Sequence, residues 1–190
     1  MSRAEIRVAG FGGQGVVLAG VLLGTAAVLY DNKHAVQTQS YGAASRGGGA
    51  RSEVIISDEP VRYPSVTRPD IMVAMSSEAI EKYVKDMRPG GILVVDEDLV
   101  RDTKRDDCKV YRVPSSRVAV NELGRSLVAN IVMVGFLVGL THIVTERAME
   151  EAIRVTVPKG SEGLNLRAFH KGLELGREAA LREQQGSAGG

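Results

Sequence analysis

Ile6-Arg7-Val8-Ala9-Gly10-Phe11-Gly12-Gly13-Gln14-Gly15-Val16-Val17-Leu18-Ala19-Gly20 contains the change of period that sets the fold. Residues 6–9 alternate and are rich in β-branched side chains, which is the pattern of a strand. Gly10-Phe11-Gly12-Gly13-Gln14-Gly15 then breaks it, and residues 16–30 read as a helix that is apolar nearly all round. Glycine at 10, 12 and 15 suits three tasks in turn: a tight turn, close approach of a ligand to the backbone, and close packing of helix on strand. The N–H groups at the start of the helix favour an anion. Three roles fit this loop: chain geometry with subunit packing, binding of an anionic group such as a coenzyme phosphate, and binding of a dinucleotide. The last is disfavoured. A nicotinamide site normally has an acid at the end of the second strand to hold the ribose. Here that stretch is Ala35-Val36-Gln37-Thr38-Gln39-Ser40, and Asp31 lies at its wrong end.

Outward from this unit, residues 34–38, 51–57, 70–75, 92–95 and 109–113 read as further strands. Ser76 or Ser77 caps a helix that runs to about Met87, before Pro89-Gly90-Gly91. From Ser115 the pattern is helical, with segments over 116–123, 126–144, 146–153 and 165–183. The expected architecture is therefore α/β, in three layers: a mostly parallel sheet with a Rossmann-like glycine loop and a helical C-terminal part. Residues 1–183 form one domain, with 184–190 as a flexible tail; there is no internal repeat and no linker.

Bulk properties exclude several classes. The chain has 190 residues and a formal net charge of +1, so it has no basic field for nucleic acid. The apolar stretches 16–29 and 127–144 are too short or too interrupted to span a membrane. The N-terminal residues carry no leader pattern, and the expected location is cytoplasmic. Cys108 is the only cysteine, so neither a disulfide framework nor a thiolate-held cluster or zinc is available. His34, His142 and His170 lack metal-type spacing, and no metal ligand set is expected. No serine or cysteine lies in a nucleophile motif, so no catalytic residue is assigned. Asp96, Glu97 and Asp98 read as caps for a turn, His142 as an edge histidine, and Lys159, Arg167 and Lys171 as solvated helix faces. A second polar, glycine-rich loop spans 41–49 and carries Arg46, with Arg51 just beyond it. The two arginines suit either a carboxylate or phosphate clamp or pairing with acids of a neighbouring subunit.

Gly-Phe-Gly-Gly-Gln-Gly-Val at 10–16, Gln-Ser-Tyr-Gly at 39–42, Arg-Gly-Gly at 46–48 and Ser-Glu-Val-Ile at 52–55 resemble the γ subunit of 2-oxoacid:ferredoxin oxidoreductases. Gly-Gly-Ile-Leu-Val-Val-Asp at 90–96 and the Leu-Gly then Asn130 pattern at 123–130 agree, and the resemblance runs from Ile6 to about Ala180. Within that family the chain is most similar to the 2-oxoglutarate (2-ketoglutarate) members. It has Phe11 where pyruvate-type chains carry arginine, and Gln39-Ser40-Tyr41 where they carry a phenylalanine- and proline-containing segment. The histidine-glycine-methionine segment of indolepyruvate-type partners is also absent.

The resemblance implies oxidative decarboxylation of a 2-oxoacid with coenzyme A and ferredoxin. It implies partnership with α, β and ferredoxin-like δ subunits, which would carry thiamine diphosphate, magnesium and iron–sulfur clusters. This chain itself would hold no cofactor firmly. Its implied roles are subunit packing, through the helices at 16–29 and 127–144 with their four-spaced glycines, and coenzyme A binding. The residues expected at that coenzyme site are Gly10, Gly12, Gly13, Gln14 and Gly15, with Arg46 at an anion. The alternatives are a stand-alone nucleotide-binding oxidoreductase and a purely structural interaction module.

Overall fold

The computed structural model describes residues 3–41 and 49–188. Six strands form one sheet: β1 (Arg3–Phe11), β2 (His34–Tyr41), β3 (Gly49–Ser57), β4 (Ile71–Ala74), β5 (Ile92–Asp96) and β6 (Lys109–Val113). Their order across the sheet is β2-β3-β1-β4-β5-β6. β1, β4, β5 and β6 are parallel neighbours, whereas β3 runs antiparallel to both β1 and β2. The expected mostly parallel α/β sheet is present, with β3 inserted between β1 and β2. That insertion also moves the end of β2 away from the glycine loop, so a ribose-binding acid there would not stand beside it.

Alternation along β1 separates the two faces, because successive side chains point to opposite sides. Ala4, Ile6 and Val8 join a large core with helices α1 (Val16–Thr25), α4 (Ala129–Thr141), α5 (Glu146–Thr156) and α6 (Glu162–Ala188). Ala9 joins a smaller core on the other face with α2 (Ser77–Tyr83), Met72, Leu93 and Val95. The short α3 (Ser115–Asn121) follows β6. α1 continues into a π-helical turn at Ala26–Tyr30, closed by Asp31 N–H donating to Ala26 O at 3.1 Å. Among the described residues no helix is long and apolar enough to cross a membrane.

Two expectations need correction. Residues 184–188, read as part of a frayed tail, continue α6 as helix. The glycine face of residues 127–144 does not await another subunit. A methyl group built at Gly135 would lie 2.9 Å from Leu173 N, and one at Gly139 3.0 Å from Arg177 N. The matching glycines are on α6: a methyl at Gly172 would lie 2.8 Å from Phe136 N, and one at Gly176 2.9 Å from Leu140 N. Two four-spaced glycine pairs thus interlock, and the backbones of α4 and α6 touch. The sequence identified a face that must be covered; α6 of the same chain covers it.

Capping explains where other elements begin. Asp96 ends β5 fully buried and accepts hydrogen bonds from the backbone N–H groups of Asp98 and Ser116 at 3.0 and 2.9 Å. The hydroxyls of Ser115 and Ser116 donate to it as well. It therefore fixes both the turn after β5 and the start of α3, the capping role expected for this acidic triplet. His142 closes α4 in a left-handed conformation, φ 51°, with its N–H donating to Val138 O. Cys108 is half-buried beside the α2-side core, and desolvation raises its thiol above the ordinary range, which suits an inert thiol.

Candidate functional site

α1 follows β1 onto one face of the sheet, while α2 follows β4 onto the other. The carboxyl ends of β1 and β4 therefore flank a topological switch point, the place where open α/β sheets form a binding crevice. The glycine loop lies there. Gly13 and Gly15 have φ of +98° and +70°, values that favour glycine over any residue with a Cβ. Phe11, Gly12 and Gly13 are exposed at the mouth.

Gln14 spans the crevice. Its Oε1 accepts from Phe11 N–H at 2.7 Å and its Nε2 donates to Met75 O at 2.9 Å, tying the end of β1 to the end of β4. Gly10 lies beneath this amide, where a methyl group would be 3.1 Å from both Met75 Cβ and Val16 Cγ2. Gln14 and Gly10, both expected among the coenzyme-binding residues, are thus occupied in shaping the loop. Gly12, Gly13 and the backbone at the start of α1 are what the loop presents outward.

The two helices that begin at the crevice differ at their N-termini. α2 is capped by its own Ser76, whose hydroxyl accepts from Ala79 N–H at 3.2 Å. α1 begins at Gly15, which has no side chain to cap it, and its first turn contains no acid. The first N–H groups of a helix need acceptors, and the local field there is positive. An uncapped start beside exposed glycines is suited to a phosphate or carboxylate. Behind it stands Asn130, 1% exposed in the first turn of α4, whose Nδ2 donates to Gly15 O at 3.0 Å.

On the α2 face, a cationic and aromatic cluster lies between β1, β3 and α2. Arg7 is buried in β1, donating through Nε to Glu53 Oε1 and through Nη1 to Asp86 Oδ2, each at 2.8 Å. Its guanidinium lies 5.4 Å from the centre of the Tyr83 ring, as do those of Arg51 and the Lys82 ammonium. Lys82 and Glu78 also approach Gly49, which pairs with Phe11 beside the glycine loop. Arg46 and the Arg-Gly-Gly motif at 46–48 lie outside the described residues; Tyr41 and Gly49 flank that segment. Sequence reading named Arg51 but missed Arg7, Tyr83 and Lys82. An arginine inside an otherwise apolar β1 was the available signal, since a buried charge needs a partner.

One group with metal-type geometry exists among the described residues: Glu146 and Glu150 on α5 with His170 on α6, their ligand atoms within 4.8 Å of one another. Spacing in sequence could not reveal it, because two helices contribute. His170 Nε2 already meets Glu150 Oε1 at 2.7 Å, and the Arg177 guanidinium meets Glu146. These helices do not form the crevice.

The fold and loop define a class: a doubly wound α/β domain with an anion-ready helix start at its switch point, and without the thiolates to carry electrons itself. The chain belongs to the pyruvate ferredoxin/flavodoxin oxidoreductase family, whose model matches residues 5–175. It is 54% identical over 178 residues to the 2-oxoglutarate synthase subunit KorC of Methanocaldococcus jannaschii, covering 93% of this chain and 95% of that one. A solved keto/oxoacid ferredoxin oxidoreductase γ subunit from Geobacter sulfurreducens is 42% identical with a TM-score of 0.83, covering 92% of this chain and 99% of that chain. The 2-oxoglutarate:ferredoxin oxidoreductase of Magnetococcus marinus, solved with 2-oxoglutarate, coenzyme A and succinyl-CoA bound, is 26% identical with a TM-score of 0.84. That match covers 94% of this chain and 32% of that one, so there the same fold is about a third of a longer polypeptide.

Proposed function

We propose that this chain is the γ-type subunit of a 2-oxoglutarate:ferredoxin oxidoreductase, a complex that decarboxylates 2-oxoglutarate oxidatively to succinyl-CoA and carbon dioxide while reducing ferredoxin. The observation that carries the reading is the near end-to-end likeness to a 2-oxoglutarate synthase subunit, 54% identical over 95% of that relative. The chain's own residues do not fit the redox cofactors. Cys108 is its single thiol, and no Gly-Asp-Gly start of a thiamine–magnesium motif occurs. When bound to α, β and ferredoxin-like δ subunits, thiamine diphosphate with magnesium would stabilise the carbanion left by decarboxylation, and clusters would carry the two electrons. A partnership with ferredoxin favours a cytoplasmic location.

Within that division of labour, this chain receives the phosphates of coenzyme A. Gly12 and Gly13 allow the backbone to approach, Gly15 and the uncapped start of α1 supply N–H donors, and Gly10 and Gln14 hold the loop in shape. Arg46 is assigned to an anionic group of the same ligand. The support is the uncapped α1 beside exposed glycines, together with the coenzyme present in the Magnetococcus marinus relative.

Two measurements test the reading. The complex is assayed with and without this chain on 2-oxoglutarate, pyruvate and branched-chain 2-oxoacids, with reduction of ferredoxin as the signal. The largest kcat/KM is expected for 2-oxoglutarate, and only with the chain present; a preference for pyruvate would overturn the substrate assignment. Equilibrium binding of coenzyme A to the whole complex is then compared with Gly13→Asp, which places a carboxylate at the open mouth of the loop. Weaker binding by at least about tenfold is expected from like-charge repulsion at a helix start. Unchanged affinity in an intact complex refutes the coenzyme role.

A further inference from the structure

Asn130 is out of place by composition. It sits in the first turn of α4, inside an apolar run, and is 1% exposed. One half of its carboxamide has a clear task, since Nδ2 donates to the carbonyl of Gly15. The other half has none: Oδ1 is the one buried side-chain N or O atom among the described residues that lacks a hydrogen-bond partner. A single donor to Gly15 would not require a carboxamide, and an empty buried acceptor is costly to keep.

Position gives the orphan acceptor its meaning. A methyl group built on Gly15 would lie 2.7 Å from Asn130 Cγ and 3.3 Å from Oδ1. The carboxamide therefore stands where a side chain of Gly15 would be, against the start of α1 that lacks a cap. Gly15 at φ +70° keeps this space open, and Asn130 fills it from another helix. A phosphate has only acceptor oxygens towards such an atom. What Oδ1 can accept is a donor hydrogen, and a water bridging it to the bound anion provides one.

We propose that Asn130 is a positioning residue for the coenzyme site: Nδ2 fixes the Gly15 carbonyl so that the α1 N–H groups face the ligand, and Oδ1 holds the water that bridges to its phosphate. This rests on the coenzyme role proposed for the glycine loop. It adds a residue 115 positions away that sets the loop's geometry and its preference for a water-bridged anion.

The test uses the assembled complex with Asn130→Asp, which has the same shape but loses the donor to Gly15 and adds a negative charge beside the α1 start. Asn130→Ser is the second variant, should the aspartate impair assembly. Steady-state kinetics give KM for coenzyme A, KM for 2-oxoglutarate and kcat. Hydrogen exchange of the peptide covering residues 11–18, with and without coenzyme A, gives a readout independent of turnover. The expected result is a rise of about tenfold or more in KM for coenzyme A, with smaller changes in kcat and in KM for 2-oxoglutarate. Coenzyme A should also protect the 11–18 peptide less than in the unaltered complex. Three results overturn the inference. If Asn130→Asp leaves KM for coenzyme A and the protection unchanged while Gly13→Asp weakens binding, Asn130 has no such role although the loop binds the coenzyme. If neither variant alters coenzyme A binding, the loop reading fails and this inference with it. If both KM values rise while kcat and thermal stability fall together, Asn130 serves the fold alone.

Discussion

Gly172→Ala gives the sharpest test of the packing described here, because two ordinary expectations oppose each other. In an exposed helix interior the change stabilises by about 1 kcal/mol, since alanine loses less backbone entropy than glycine. In α6 the new methyl would overlap the carbonyl oxygen of Val132 and lie 2.8 Å from both Val132 C and Phe136 N. These are backbone atoms of α4, and they cannot rotate aside as a side chain would. Relief requires the helices to part by roughly 1 Å, a gap that forfeits a quarter to a half of each dispersion contact along the seam. Overpacking of this kind costs about 1–3 kcal/mol, and a backbone-to-backbone clash belongs at the upper end. The net expectation is a loss of about 2 kcal/mol, or roughly 4–8 °C in Tm for a chain of this size. Thermal and urea unfolding of the isolated chain read it, with Gly24→Ala as the control. Gly24 lies in α1 with nothing within 4 Å of an added methyl, so that variant gains up to about 1 kcal/mol. Gly135→Ala meets the same seam, and one separation accommodates both methyls, so the double variant costs less than the two singles together. An unchanged or raised Tm for Gly172→Ala would refute the interlocked-glycine account.

Three further outcomes follow from other parts of the molecule. Gly15→Ala forces a Cβ into the left-handed region at φ +70° and against Asn130; a destabilisation of about 2–4 kcal/mol is expected in urea unfolding, from strain plus the lost Asn130–Gly15 hydrogen bond. Asp96→Asn keeps one acceptor oxygen but turns an N–H₂ towards one of the two donor sets, Asp98 with Leu99 or Ser115 with Ser116, and should cost about 3 kcal/mol by the same measurement. Burial, joined by the hydrogen bond it donates to Glu183 at 2.7 Å, holds the Tyr111 hydroxyl above the ordinary phenol range. A raised folded-state pKa contributes stability that is fully present below the unfolded value near pH 10 and is lost as pH rises through the folded one. Stability of the unaltered protein should therefore fall more steeply above about pH 10 than that of Tyr111→Phe; parallel pH profiles would contradict this.

The parts of the fold legible in the sequence were those written as local period. The strand–glycine–helix unit at 6–20, the buried strands and the run of C-terminal helices all rest on alternation, helical spacing and turn residues that few neighbours alter. The reversed direction of β3 was not legible, because alternation in Ser52-Glu53-Val54-Ile55-Ile56 is the same for either sense of pairing. The length of α6 was missed because Gln184, Gln185 and Gly186 satisfy a tail and an exposed helix end equally well. At the site, the glycines announced a loop, but their division of labour needed the third dimension. Gln14 proved to be a brace across two strands, and Asn130 reached the loop from a helix that sequence reading assigned only to packing.

The glycine pairs of α4 and α6 carry the same lesson further. Periodicity states that a face must approach another backbone closely; it does not state whose. Gly135 and Gly139 read as a docking face only while their counterpart is unknown, and Gly172 and Gly176 supply it within the chain. With that seam closed, α4 is anchored along its length, and its first turn becomes a fixed post from which Asn130 holds Gly15. The packing of the helical C-terminal part is therefore what steadies the glycine loop. Loosening the α4–α6 seam should weaken the coenzyme A binding proposed for that loop as well as the fold.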